Sequence, residues 1–208
     1  MLRTRSLFFA YNEHTKFQFP DIELVESDHL LVLGESGIGK TTLLHLMAGL
    51  LKPTSGTITI MDTSILELSS AELDRFRGKC IGLIFQRPHF ISALNLYENL
   101  AMVQYLAGKK QNKKRIQEVL DSLGILHKKN EKPHRLSQGE QQRAAIALAV
   151  INSPKFILAD EPTSSLDNQN CARVASLLKE QASGTGSKLI IITHDQRLKD
   201  QFQNTLTL

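Results

Sequence analysis

The chain has 208 residues, 41% of them hydrophobic and 22% charged, with a formal net charge of +4; this is enough apolar content for one large domain or two small ones and lies well outside the disordered range. Two cysteines, Cys80 and Cys171, make no disulfide framework and suit a reducing compartment, while the seven histidines include no pair at helical metal-ligand spacing, which argues against a structural zinc site. No apolar run approaches the roughly 20 residues that span a bilayer, and the run Leu7 to Ala10 is too short for a secretory signal, so a cytosolic place is expected, with any membrane role supplied by a partner.

The mild basic excess has one evident cluster, Lys109-Lys110 with Lys113-Lys114-Arg115. It lies in a polar stretch and reads as a solvated loop and helix face, so no nucleic acid is expected as a partner.

In chain order, Leu30 to Leu33 is a compact apolar run ending in Gly34. Thr41 to Leu51 then has Leu43, Leu44, Met47 and Leu50 or Leu51 on one helical face, with Pro53 as the expected stop. Thr57 to Ile60 alternates as a half-buried strand does, and Ile81 to Phe85 is a further strand. From Tyr97 to Ile151 the pattern is helical throughout: Leu100, Val103 and Leu106 fit one helix, Ile116, Val119, Leu120 and Leu123 a second closed by Gly124, and Gln141 to Ile151 a third, rich in alanine. Phe156 to Ala159 and Leu189 to Ile192 are continuous apolar runs, as in parallel strands covered on both faces. Asn204 to Leu208 fits one late strand. Strands alternating with helices predict an α/β fold with a mostly parallel sheet, interrupted by an all-helical insertion.

Two motifs carry chemistry. Gly34-Glu35-Ser36-Gly37-Ile38-Gly39-Lys40-Thr41 fits G-x-x-x-x-G-K-[ST], after a predicted strand and before a predicted helix. Glycines let the backbone fold around phosphate oxygens, and successive N–H groups with the helix N-terminus supply positive potential. Lys40 adds a point charge for the β- and γ-phosphates, and the Thr41 hydroxyl can ligate Mg²⁺. This motif alone says only nucleoside triphosphate. The second is Phe156-Ile157-Leu158-Ala159-Asp160-Glu161, four apolar residues capped by two acids at the ligand-binding edge of the sheet. Asp160 is expected to hold Mg²⁺ and Glu161 to act as general base on water.

Between them stands Leu136-Ser137-Gln138-Gly139-Glu140-Gln141-Gln142-Arg143. It resembles the signature motif of the ABC ATPase superfamily. Gln86 after the strand Ile81 to Phe85 resembles the Q-loop glutamine, Pro162-Thr163-Ser164-Ser165-Leu166-Asp167 the D-loop, and His194 the switch histidine. Tyr11 stands where the family stacks an aromatic ring on adenine, with Phe8 and Phe9 close by. The spellings RLSQGEQQR, ADEPTSSLD and ITHD are similar to the lipoprotein-releasing, macrolide-efflux and cell-division branch.

The resemblance covers nearly the whole chain. It implies a P-loop NTPase fold of ABC type: a mostly parallel core sheet, a small antiparallel β part and an inserted helical subdomain. The expected division is a core of residues 1–86 and 153–208 around a helical subdomain of about 87–152. The implied activity is ATP hydrolysis that drives export or extraction of a lipoprotein, peptide or drug-like cargo through separate transmembrane permease subunits, at the inner face of the cell membrane. ATP contacts are implied for Tyr11, Gly34, Glu35, Ser36, Gly37, Ile38, Gly39, Lys40, Thr41 and Thr42, and Mg²⁺ contacts for Thr41, Gln86 and Asp160. Glu161, His194 and Gln86 are the implied catalytic set. Ser137, Gln138, Gly139, Glu140 and Asp167 are implied to act across a dimer, facing the phosphate loop of a second ATPase subunit. The surface after Gln86, including Arg87, Pro88, His89, Phe90 and Leu94, is where the family receives a coupling helix; ordinary core is the alternative for Phe90 and Leu94.

Some spellings depart from the family. Asp28-His29 replaces the usual Gly-Glu before the first core strand, Gln138 stands where glycine is commonest, and the usual final glycine-bearing strand pair is missing. A non-transport member of the superfamily is the rival reading. Repair and chromosome types need long coiled coils, whereas no sustained heptads lie between Lys40 and Ser137. Translation types usually carry two ATPase units. A cell-division scaffold without turnover is disfavoured by the presence of both Glu161 and His194.

Overall fold

The computed structural model describes residues 1–25, 29–164 and 166–208. Asp28 and Ser165, two positions singled out above, lie outside the described residues. Along the chain, strands β1 (Leu2–Ala10), β2 (Lys16–Gln18), β3 (Ile22–Leu24) and β4 (Leu30–Leu33) precede helix α1 (Lys40–Met47). Strands β5 (Ser55–Ile60) and β6 (Thr63–Ser64), helix α2 (Ser70–Cys80) and strand β7 (Ile81–Ile84) follow. Then come α3 (Leu96–Leu106), α4 (Lys113–Ser122) and α5 (Gln138–Val150), and finally β8 (Phe156–Asp160), α6 (Asn168–Thr185), β9 (Lys188–Thr193) and β10 (Asn204–Thr207).

The core sheet is parallel, in the order β10-β4-β9-β8-β7. Alternate strand residues point to opposite faces, and the apolar runs divide accordingly. Leu31, Leu33, Ile157, Ala159, Leu189 and Ile191 pack on one side against α3 to α6. Leu30, Val32, Phe156, Leu158, Ile190 and Ile192 pack on the other, against α1 and a second sheet. That second sheet is antiparallel, β2-β1-β5-β6 with β3 also on β1. Three α-helices and two short 3-10 helices (Leu126–Lys128 and Pro133–Arg135) occupy the predicted insertion, and α5 begins at Gln138, three residues before the predicted start.

Helix α1 is shorter than its periodicity suggests. Expected to run to Leu51, it ends at Met47, with Gly49 in the left-handed region at φ 64°. A Cβ there would also sit 2.9 Å from Leu73 Cδ1, so a glycine and a packing contact stop the helix before Pro53 does.

Parallel register sets the site. Leu33 pairs with Thr193, Asp160 with Ile192 and Ile84 with Ala159. The loops after β4, β7, β8 and β9 therefore emerge side by side at the carboxyl edge of the sheet, where ligands of α/β folds bind.

Candidate nucleotide site

The loop after β4 turns on two glycines with positive φ, Gly37 at 86° and Gly39 at 101°. Gly39 is doubly constrained, because a Cβ there would lie 2.6 Å from the Phe17 ring. The loop opens α1, whose first residue is Lys40. Its buried ammonium donates to the carbonyls of Gly34 (3.0 Å) and Glu35 (2.9 Å) and sits 3.4 Å from Glu161 Oε1. The amine thus ties the loop to the strand-end carboxylate. Together with the helix N-terminus it focuses positive potential on the cleft.

Glu161 follows β8 in the left-handed region at φ 48°. For a non-glycine residue that conformation costs on the order of 1–3 kcal/mol and persists where surrounding contacts enforce it. Here they do. Thr193 Oγ1 donates to Glu161 Oε2 at 2.8 Å, the His194 backbone N–H donates to Oε1 at 3.2 Å, and His194 Nδ1 lies 3.0 Å from Oε1. Burial works to raise the Glu161 pKa, but hydrogen bonds from His194 and Thr193 and the charges of His194 and Lys40 hold it below the ordinary value. The carboxylate therefore stays ionised and able to accept a proton.

Asp160 differs. Its pKa is raised, mainly by burial and further by the Glu161 charge, against a hydrogen bond from Thr41. The Thr41 hydroxyl donates to Asp160 at 2.9 Å. A hydroxyl beside a desolvated carboxylate is a hard oxygen donor set, and Mg²⁺ is characteristically held by one or two carboxylates plus substrate phosphates, so these residues fit that ion. Gln86 is exposed and joins Ser36, Lys40, Thr41, Glu161 and His194 around one cleft of about 250 Å³.

Tyr11 is 54% exposed, and its hydroxyl lies 3.3 Å from Thr42 Oγ1. Phe9, by contrast, is part of the core and packs edge-on to Tyr11 at 4.7 Å, so it does not compete for an exposed ring site. Phe17 was not anticipated. It also lines the cleft, 6.3 Å from Tyr11, on a three-residue strand too short and polar to stand out in sequence.

Ser137, Gln138, Gly139 and Glu140 do not line the cleft of their own chain. Ser137 caps α5 in a reciprocal box with Glu140: Ser137 N–H and Oγ–H both donate to Glu140 Oε2, at 2.8 and 2.9 Å. Ser137, Gln138 and Gly139 are exposed. Gly139 has an ordinary helical φ, and a Cβ there would meet only Arg143, at 3.6 Å. Among the described residues nothing demands a glycine here, where it costs about 1 kcal/mol against alanine in a helix.

Asp167 caps α6, accepting from the Asn170 backbone at 2.9 Å and from its side chain at 2.7 Å. A second unanticipated residue, Arg197, braces this region. It grips buried Asp195 with two bonds of 2.7 Å and reaches Leu166 O at 3.1 Å and Asn168 Oδ1 at 2.8 Å. Asp195 also accepts from Thr163 (2.9 Å) and Cys171 (3.3 Å). The residue after His194 is thereby locked to the loop that leads into Asp167. No local sequence pattern signals this, since the partners are 29 to 32 positions apart.

Of the residues after Gln86, Pro88 and His89 line a groove of about 280 Å³ between β7, α2, α3 and α5. Phe90 is half-buried and packs against the helical core, and Leu94 is half-buried.

The described family model "ABC transporter" matches residues 19–164. The lipoprotein-releasing system ATP-binding protein LolD of Legionella pneumophila (strain Lens) is 33% identical over 100% of this chain and 94% of its own length. That of Idiomarina loihiensis is 35% identical over the same shares. Among solved structures, the dimeric bacterial ABC transporter cassette MJ0796 superposes with a TM-score of 0.89 at 29% identity, covering 100% of this chain and 94% of that one. The same cassette is known in a dimeric post-hydrolysis state bound to ADP and Pi, with the same score and coverage. Sequence match, shared fold and a built phosphate loop converge: the chain belongs to the ABC transporter family, as an ATP-binding and ATP-hydrolysing member.

Proposed function

We propose that the chain is the ATPase subunit of a membrane transporter that exports or extracts cargo of lipoprotein type, working as a dimer on separate transmembrane permease subunits. The names of its LolD relatives support the cargo class, and the dimeric MJ0796 cassette supports the assembly. Among the described residues no helix is long and apolar enough to cross a membrane, and in this reading the chain sits peripherally on the inner face through its permease. It acts as one ATPase domain, with a core of residues 1–86 and 153–208 and a helical subdomain of about 87–152.

The observation that carries the dimer is the split site: a cleft with Lys40, Thr41, Glu161 and His194 but no signature residue, beside an exposed helix start at Ser137 and Gly139. In the dimer, Ser137, Gly139 and the N-terminus of α5 face the γ-phosphate held by the partner's loop, where a glycine lets backbone N–H groups approach closely. Lys40 and the loop amides hold the β- and γ-phosphates, and Tyr11 stacks on the base. Thr41, Asp160 and Gln86 would hold Mg²⁺, which would supply charge neutralisation for the phosphate oxygens. Glu161 takes the proton of the attacking water, His194 orients Glu161 and the γ-phosphate, and Asp167 signals across the dimer. Loss of the γ-phosphate removes the contacts that close the dimer.

The permease is received in the groove beside Pro88 and His89. The rings of His45, Phe85 and His89 run from α1 to this groove, with centroids 6.3 and 4.9 Å apart. This gives the phosphate-loop helix a packed route to the partner.

The test is Glu161→Gln. The amide keeps the shape but cannot take a proton, so turnover falls by about 10²–10⁴-fold while ATP still binds. Light scattering is expected to find a dimer with ATP and a monomer with ADP. A variant that hydrolyses ATP at the wild-type rate would remove Glu161 from its role, and one that stays monomeric at saturating ATP would remove the dimer.

A further inference from the structure

The corner where α2, α3 and α4 meet carries a basic surface that the sequence shows only in part. Lys109 lies within electrostatic reach of Lys79 and Arg115, and Cys80 within reach of Lys79, Lys109 and Lys155. These cations come from four separate segments, and the fold gathers them. Lys110, Lys113 and Lys114 extend the surface and are exposed. The acid bonded to this stretch is Glu118, 3.9 Å from Lys114, in a pair whose side chains are 87% and 52% exposed.

Two large apolar side chains stand beside these charges. Tyr105 is 66% exposed and Leu106 70%, the highest values among the exposed large hydrophobics of the described residues. They are not fraying at a loose helix end. The next residue, Ala107, is 1% exposed, and a Cβ on Gly78 would lie 3.1 Å from its Cβ. Lys109 Nζ donates to Asn152 O at 2.6 Å, and Asn152 Nδ2 donates to Gly78 O (3.1 Å) and Val103 O (3.3 Å). The end of α3 is therefore held firmly while Tyr105 and Leu106 face outward.

An exposed aromatic and an exposed aliphatic side chain followed closely by exposed lysines form the composition that settles at a bilayer surface, with ring and chain at headgroup depth and ammonium groups on lipid phosphates. Location agrees. Gly78, Val103 and Asn152 line the groove beside Pro88 and His89, so the basic corner is continuous with the side assigned above to the permease, and the inference rests on that assignment for its orientation.

We propose that this corner docks on anionic phospholipid headgroups next to the permease, with Lys110, Lys113 and Lys114 binding phosphate and Tyr105 and Leu106 entering the interface. Each lysine near an anionic surface changes affinity by about fivefold, and one isolated subunit binds weakly and with strong salt dependence. The docking would orient the subunit and raise its local concentration at the permease.

Flotation of the purified chain with vesicles tests this. Vesicles of equimolar phosphatidylglycerol and phosphatidylcholine are expected to carry the chain, pure phosphatidylcholine vesicles are not, and added salt releases it. Lys110→Glu with Lys113→Glu and Lys114→Glu should cut binding by more than about tenfold. Tyr105→Ser with Leu106→Ser should weaken it while leaving the salt response. ATP turnover of the free chain, unchanged in both variants, certifies folding. Equal binding to both vesicle types, no binding to either, or full binding by the lysine variant overturns the proposal. So does a lysine variant that loses only copurification with the permease, since that makes the corner a protein interface. His89→Asp separates this result from the groove assignment: it should lose the permease and keep the vesicles, and retention of the permease would sink the groove alone.

Discussion

Replacing Arg197 by alanine is expected to loosen the loop that joins Glu161 to Asp167. The side chain makes two 2.7 Å bonds to Asp195, a carboxylate whose side chain is 6% exposed. Removing one partner of a buried ion pair costs about 3–5 kcal/mol. Arg197 itself is 36% exposed, so water replaces part of the interaction, and Thr163, Cys171 and the Arg197 backbone N–H still donate to Asp195. The discounted cost is about 2–3 kcal/mol, which lowers Tm by about 5–10 °C in a chain of this size.

The pH dependence has a definite sign. Hydrogen bonding by Arg197 holds the Asp195 carboxyl well below its ordinary value, against the effect of burial. The stabilisation is complete above the unfolded carboxyl pKa of about 3.9 and is lost as pH falls through the lower folded value. In Arg197→Ala the folded pKa rises, so protonation relieves the variant first. The melting gap should be full at neutral pH and should narrow as pH is taken below about 4, read by differential scanning fluorimetry. ATP turnover should also fall, because Leu166 O and Asn168 Oδ1 lose their donor. Arg197→Lys keeps the charge without the fork and should recover stability more than turnover. A variant that melts within a degree of wild type and turns over normally would refute the brace.

Two further expectations concern packing and the base site. Gly82→Ala would place a Cβ 2.3 Å from Ala149 O; overpacking β7 against α5 costs about 1–3 kcal/mol, seen as a lower urea midpoint, and an unchanged midpoint would mean the two elements separate easily. Tyr11→Ala and Phe17→Ala should each weaken ATP binding by about threefold to tenfold, the scale of one aromatic contact, while leaving inorganic triphosphate binding at the loop intact. Equal loss for both ligands in a calorimetric titration would show that the rings shape the loop and do not hold the base.

Much of this was legible because parallel strands buried on both faces are apolar runs. Leu30 to Leu33, Phe156 to Ala159 and Leu189 to Ile192 announced themselves, and the residues that follow them are the site. Helix α2 did not. Its apolar stripe, Leu73, Phe76 and Cys80, is short and only partly buried, and its start is marked by the Ser69–Glu72 capping box. The end of α1 was misjudged because leucines continue past Met47 in phase, while the left-handed Gly49 decides. Phe17 and Arg197 were missed for a common reason. Each acts on residues brought near by the sheet, not by spacing. The basic corner was half visible as a lysine run. Its other half, Lys79 and Lys155, joins only when α2 packs on α3 and the Lys155 N–H bonds to Cys80 O.

The central claim is that each ATP needs two chains. It is tested most directly by mixing two inactive variants, Lys40→Ala, which lacks the phosphate-loop cation, and Gly139→Asp, whose Cβ meets only Arg143 within 4 Å among the described residues. In a two-fold dimer of these variants, one site pairs both defects and the other pairs an intact loop with an intact signature. Turnover should therefore return on mixing, to about a quarter of wild type if the chains exchange randomly and sites act independently. A mixture as inactive as either variant alone, with mixed dimers present, would contradict the shared site.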